Sequence, residues 1–186
     1  MTLGQALGLG DDELAALERG GYLHDVGKIG VPDAILLKTG PLTADEFGRM
    51  KAHTTIGETL CGELRSLRAV RSIVRHHHER LDGSGYPDGL RGDAIPLMAQ
   101  IVGIVDAYDA MTTTRPYRKA RSQAEAFAGL RDDVQRGAFD RALVELFIEL
   151  NPTAPVEHDI ALRFAGHDAI HPERVRHPAG GDRRDT

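Results

Sequence analysis

Three consecutive histidines, His76-His77-His78, run straight into Glu79-Arg80-Leu81-Asp82-Gly83-Ser84-Gly85-Tyr86-Pro87. Any fold of this chain must find a use for them. Imidazole is the commonest metal ligand and is largely neutral near pH 7. Three in a row bring no packing benefit and are costly to desolvate. The run has company at a distance: His24-Asp25, His53 and Asp106. A site built from all of these requires several elements to converge, and together they supply enough nitrogen and oxygen ligands for more than one ion. Taken singly, each histidine is more often an ordinary core or surface residue. The co-occurrence turns the argument toward metal.

The chain has 186 residues, a length that suits one domain. Its net charge of -5 argues against a general DNA or RNA binder, which wants a basic surface. A small anionic ligand held by a local group of cations stays compatible. The single cysteine, Cys61, permits no internal disulfide and reads as a small helix-packing residue. No apolar run approaches the roughly 20 residues needed to cross a bilayer, and the N-terminus lacks a signal-peptide pattern. The expectation is a cytoplasmic protein without membrane insertion.

The pattern is helical almost throughout. Asp11-Asp12 reads as the cap of a helix that carries Leu14, Leu17, Tyr22 and Leu23 and runs into His24-Asp25. A short helix is expected from Val31-Pro32-Asp33 through Leu36. Thr43-Ala44-Asp45-Glu46 is a capping box opening a helix through Met50, His53 and Ile56. Another helix should cover Leu67 to His78, and residues 82–96, with Pro87, Pro96 and several glycines, read as a structured loop. Leu97 to Met111 reads as a buried helix, Ser122-Gln123-Ala124-Glu125 as a second capping box, and Asp140 as the cap of a last helix to about Leu150. The expected organisation is a domain over 1–150 and an extension over 151–186, partly disordered because it is rich in Pro, Gly, Arg and Asp.

Chemistry follows from these placements. Neighbours on a helix diverge by about 100°, so His24 can serve one ion while the Asp25 carboxylate bridges to a second. Gly57, one turn after His53, leaves room for close approach. His77 and His78 close a third helix, and Asp106 interrupts the apolar stretch Ile101-Val102-Gly103-Ile104-Val105. A carboxylate there needs a partner, and a metal suffices. Lys28 lies three residues after Asp25, so it can face the same cavity. Glu79 is expected to orient a histidine, Asp109 to make a structural hydrogen bond, and His76 only to flank the site. His158, His167, His171 and His177 read as surface residues.

The chain resembles the HD-GYP family, a branch of the HD metal-dependent phosphohydrolases. The matching stretches are Leu23-His24-Asp25-Val26-Gly27-Lys28-Ile29-Gly30-Val31-Pro32-Asp33, Lys51-Ala52-His53, and His77-His78-Glu79-Arg80-Leu81-Asp82-Gly83-Ser84-Gly85-Tyr86-Pro87. They continue with Asp106-Ala107-Tyr108-Asp109-Ala110-Met111, running into Arg115-Pro116-Tyr117-Arg118. The resemblance spans about residues 10 to 150. It implies an all-α helical bundle with a metal centre of two divalent ions, three in some members, most often iron or manganese. It also implies hydrolysis of cyclic di-GMP to linear pGpG or GMP in second-messenger signalling. Carried over by position, His24, Asp25, His53, His77, His78 and Asp106 match the metal ligands. Lys28, Arg115 and Arg118 match phosphate contacts, and Tyr86 matches a tyrosine near the substrate. Asp25 and Lys28 carry the catalytic assignments.

The resemblance has a gap. Members carry a further metal-binding histidine some 30 residues before the His-Asp pair, whereas only 23 residues precede His24 here and none is histidine. A missing first helix is therefore expected, in a fragment or a natural short form, with an exposed apolar wall that favours a homodimer. The position before Ile101 is commonly arginine in the family and is Gln100 here. The competing expectation is an impaired module that binds cyclic di-GMP, or docks a diguanylate cyclase or sensory-domain partner, without turnover. A generic HD phosphohydrolase of other nucleotides fits the Gly-Tyr-Pro loop least well.

Overall fold

Thr2, Thr43, Ser122 and Asp140 each open a helix by accepting from the amide three residues on. The computed structural model describes residues 2–114 and 119–152. Arg115, Arg118, the four distal histidines and nearly all of the expected C-terminal extension lie outside these residues. Among the described residues there are nine α-helices and no strand: α1 (Leu3–Ala6), α2 (Asp11–Leu23), α3 (Asp33–Leu36), α4 (Ala44–Lys51), α5 (His53–Glu63), α6 (Arg71–His76), α7 (Leu97–Thr112), α8 (Gln123–Gln135) and α9 (Arg141–Leu150). None is long and apolar enough to cross a membrane.

Both expected capping boxes are present, Thr43 with Glu46 at α4 and Ser122 with Glu125 at α8. Asp140 caps α9 by accepting the Leu143 amide at 2.9 Å. Four expectations need correction. Gly10, not an aspartate, precedes α2, and Glu13 reaches back to its N–H at 3.0 Å. Asp11 and Asp12 instead lie in the first turn, where negative charge favours the helix dipole. The helix expected through Met50, His53 and Ile56 is broken at Ala52 into α4 and α5. That from Leu67 to His78 is a 3-10 turn over Arg65–Val70 followed by α6, which stops at His76. His24 and Asp25 do not share a helix: His24 closes α2, and Asp25 opens the 3-10 turn Val26–Gly30. The short α1, capped by Thr2 and Gln5, was not anticipated.

Two apolar clusters hold the elements. The larger joins Leu3, Ile101 and Ile104 to Phe127, Leu130, Phe139, Leu143, Val144 and Phe147. The smaller joins Cys61, Val70 and Val74, with Leu23, Val26 and Leu67 against it. Cys61 is thus the packing residue its sequence context suggested, and burial raises its thiol pKa. Ile73, Ile104 and Leu130 are fully buried, each contributing about 1.5–3 kcal/mol relative to exposure. Helix α7 belongs to the larger cluster, and α5 and α6 to the smaller.

Glycines permit the contacts that matter to the site. A Cβ on Gly27 would collide with the His53 carbonyl, and one on Gly57 would meet Val74 at 2.7 Å. A Cβ on Gly103 would lie 2.5 Å from the His77 carbonyl oxygen. The 3-10 turn after Asp25 and the start of α5, like the end of α6 and the middle of α7, are therefore drawn together backbone against backbone, while Gly57 seats the Val74 side chain.

Candidate metal centre

Each of three histidines is fixed by a carbonyl three residues before it. Nδ1 of His24 donates to Gly21 at 2.6 Å, that of His53 to Met50 at 2.8 Å, and that of His77 to Val74 at 2.8 Å. A carbonyl can only accept, so each Nδ1 carries a proton, and in the neutral ring Nε2 presents a lone pair. This is the arrangement that prepares a histidine to bind a metal.

The lone pairs of His53 and His77 converge with Asp25 and His78. Asp25, His53, His77 and His78 each offer a ligand atom within 4.8 Å of the other three. The His77 and His78 rings are 4.0 Å apart between centroids, and His53 lies 5.5 Å and 5.2 Å from them. Nε2 of His53, Nε2 of His77 and Oδ1 of Asp25 are buried with no hydrogen-bond partner. Buried polar atoms are almost always paired, so three such orphans in one place form a cradle for a cation.

His24 and Asp106 extend this group on one side. Nε2 of His24 lies 3.4 Å from Asp25 Oδ2 and 3.8 Å from Asp106 Oδ1, and Asp106 Oδ2 lies 4.0 Å from Nδ1 of His78. Asp25 divides its oxygens: Oδ1 faces His53 at 3.3 Å, while Oδ2 faces His24 and the Lys28 ammonium, the latter at 2.5 Å. All six residues expected as ligands are thus in one place. One carboxylate stands between a subset with His53, His77 and His78 and a subset with His24 and Asp106.

Burial dominates the electrostatics. It lowers His77 to about 3, helped by repulsion from His24, and His78 to about 2, helped by repulsion from His77. Burial also lowers His53 and raises Asp106. Asp25 goes the other way: burial opposes its charge, but hydrogen bonding to His24 and the charges of His24 and Lys28 hold it well below the carboxylate range. His24 is raised despite its burial, because Asp25 and Asp106 favour its charged form. The imidazoles most deeply set are therefore neutral and available to a metal.

The loop after His78 forms one border of the site. The Tyr86 ring lies 4.7 Å from that of His78 and 6.4 Å from that of His53, and burial raises its phenol pKa. Asp82 accepts from the Ser84 amide and hydroxyl at 2.9 Å and 2.7 Å. Gly83 takes φ +79, open to glycine at no steric cost, and a Cβ on Gly85 would collide with the backbone at Glu79 and Arg80. The peptide between Tyr86 and Pro87 is cis. Glu79 does not orient a histidine. Its buried carboxylate accepts three loop amides, those of Asp88 at 2.7 Å, Gly89 at 3.1 Å and Leu90 at 3.0 Å. Sequence spacing could not disclose this, because the loop folds back over nine to eleven residues to meet it.

His76 is a bystander. Its Nε2 faces Asp88 at 3.1 Å, in a surface network where Arg75 holds Asp88 and Glu58, and Arg71 also holds Glu58. Asp109 accepts from the Thr113 hydroxyl at 3.3 Å, the structural role expected. Gln100 donates to the Ile95 carbonyl at 2.9 Å, bracing the entry to α7.

Several known proteins are similar to this chain. The model of the HD domain family matches residues 1–143. The chain is 46% identical over 147 residues to the cyclic di-GMP phosphodiesterase response regulator RpfG of Xanthomonas campestris, covering 77% of this chain and 38% of that protein. It is 39% identical over 150 residues to a cyclic di-GMP phosphodiesterase of Thermotoga maritima, covering 80% and 40%. A 3'3'-cGAMP-specific phosphodiesterase of Vibrio cholerae is 36% identical over 132 residues, covering 71% and 29%. The chain therefore spans about two fifths or less of the length of these relatives. Among solved structures, Bd1817, an HDG"Y"P protein from Bdellovibrio bacteriovorus, has a TM-score of 0.65 at 24% identity, over 80% of this chain and 47% of that one. That likeness shows a shared fold.

Proposed function

The chain belongs to the HD domain family, in its HD-GYP branch, and from that premise we propose that it is a metal-dependent phosphodiesterase hydrolysing cyclic di-GMP to linear pGpG or GMP. One observation carries the reading: three buried ligand atoms, on Asp25, His53 and His77, lack any hydrogen-bond partner and converge with His78. The curated relatives named as cyclic di-GMP phosphodiesterases support the substrate.

We assign Asp25, His53, His77 and His78 to one ion, and His24, Asp106 and the other oxygen of Asp25 to a second. Imidazole with carboxylate suits iron and manganese, and we take the ions to be one of these. Divalent ions supply an acidified water and neutralise charge on the phosphodiester. The chain's own groups do the rest. Asp25 places one oxygen toward each ligand subset. Asp106, half-buried and flanked by His24 and His78, holds those two rings in register. Lys28, 40% exposed and paired to Asp25, can turn its ammonium to a phosphate oxygen. Arg115 and Arg118 are assigned to phosphate through paired planar donors. Tyr86 excludes water on the His78 side.

Protein purified without oxygen should contain at least two iron or manganese ions per chain and convert cyclic di-GMP to a linear product. Two bound ions without turnover would overturn the proposal, and fewer than two would count strongly against it.

A further inference from the structure

Helix α4 ends beside the metal pocket with two residues that the ligand set does not use. Phe47 is 47% exposed although large and apolar, and its ring lies edge-on to Tyr86 at 6.3 Å between centroids. Tyr86 in turn lies 4.7 Å from His78. An aromatic path therefore runs from solvent through Phe47 and Tyr86 to a ligand histidine. Lys51, one turn after Phe47, places its ammonium 5.1 Å from the Phe47 ring centre and 5.7 Å from that of Tyr86. Among the described residues no carboxylate pairs with it, whereas Lys28 and Lys38 each have one. The end of α4 adjoins a ligand histidine, since Met50, the residue before Lys51, accepts the His53 Nδ1 proton at 2.8 Å.

An exposed ring beside an unneutralised cation, next to the histidine and aspartate cluster, is built for a flat aromatic group that carries negative charge. Aromatic side chains stack on nucleobases, and a nearby cation favours both the π-face and an adjoining phosphate. Resting on the reading that the pocket takes a cyclic dinucleotide, we propose that Phe47 and Lys51, with Tyr86, form the subsite that stacks one purine base while a phosphodiester lies at the metal ligands. Stacking is blind to the hydrogen-bonding edge, so this subsite confers affinity for purines without choosing between guanine and adenine.

The chain contains no tryptophan, so Phe47→Trp introduces a lone fluorophore at the subsite. Its emission should be quenched by cyclic di-GMP and by GMP and left unchanged by ribose 5-phosphate. Phe47→Ala should raise KM for cyclic di-GMP about tenfold, the loss of one base stack, with the effect on KM rather than kcat. Lys51→Met should raise KM in the same sense, with metal content retained. Equal quenching by ribose 5-phosphate, or unchanged KM in Phe47→Ala, overturns the subsite. The quench needs no turnover. Quenching by GMP in a protein that never hydrolyses cyclic di-GMP would uphold the subsite and sink the proposed activity.

Discussion

Nε2 of His53 and Oδ1 of Asp25 face each other 3.3 Å apart, both buried and neither hydrogen-bonded. With its proton held on Nδ1 by the Met50 carbonyl, His53 turns a lone pair toward a carboxylate oxygen. Two acceptors repel unless a cation lies between or beside them. The rest of the fold accepts this conflict, which is the mark of a site shaped for a metal.

Metal should therefore be a major source of stability. Stripping the protein with a chelator should lower its melting temperature, and restoring manganese at about 100 times its Kd should return about 2.7 kcal/mol, or roughly 5–10 °C. Differential scanning fluorimetry across a metal titration checks this. A melting temperature indifferent to metal would contradict the cradle.

The metal-free protein should weaken in acid. His77 and His78, held at about 3 and about 2, stay neutral in the fold, but take up protons near 6.5 when unfolded. Below pH 6.5 the unfolded chain binds more protons, so stability falls as pH falls toward 3. Asp25, depressed in the fold, adds to the loss below its ordinary pKa of 3.8. His24, raised by its carboxylate neighbours, acts in the opposite sense. Three depressed imidazoles, His53 being the third, outweigh one raised, and urea melts between pH 7.5 and 4.5 should show a falling midpoint. In His77→Leu the slope should flatten.

Replacing Glu79 should free the loop that carries Tyr86. Glu79→Ala leaves three loop amides without their acceptor, at a cost of about 2–4 kcal/mol. Glu79→Gln, which keeps one acceptor oxygen, should fall between. Amide exchange at Asp88, Gly89 and Leu90 should accelerate more than exchange in α8. Unchanged protection at those amides would show that something else holds the loop.

Gly103→Ala should separate α7 from the end of α6, since a methyl there meets the His77 carbonyl at 2.5 Å. Backbone cannot yield as a side-chain tip can, so a loss of about 1–3 kcal/mol is expected, with weaker metal binding as Asp106 moves from His78. Gly48→Ala, at a helical glycine with open space around it, is the control and should be neutral or slightly stabilising. Comparable loss in both variants would deny the close approach any special role.

Much of the candidate site was legible in the chain because its ligands come in short, chemically loud strings. His24-Asp25, His53, His77-His78 and Asp106 were identified by residue type alone, and the structure brings all six together. The ends of elements were less legible. The break at Ala52 and the stop at His76 leave no mark in local propensity, because tertiary demands set them: His53 opens α5, and His77 and His78 lie just past the end of α6, where each can aim inward. Glu79 was misread for a related reason, since its partners are backbone amides of a loop whose path depends on the glycines within it.

The sequence by itself determined the helical pattern, the capping boxes at Thr43 and Ser122, the residue types of the candidate site and the family. Capping and periodicity act within a few residues, and ligand chemistry belongs to single side chains. Only the tertiary structure decided that Asp25 turns one oxygen to His53 and the other to His24 and Lys28, that His76 turns away to Asp88, and that Glu79 fastens the loop bearing Tyr86. Those are relations between groups distant in the chain. They are settled by which backbones can approach at Gly27, Gly57 and Gly103, and by the cost of leaving a buried charge or amide alone.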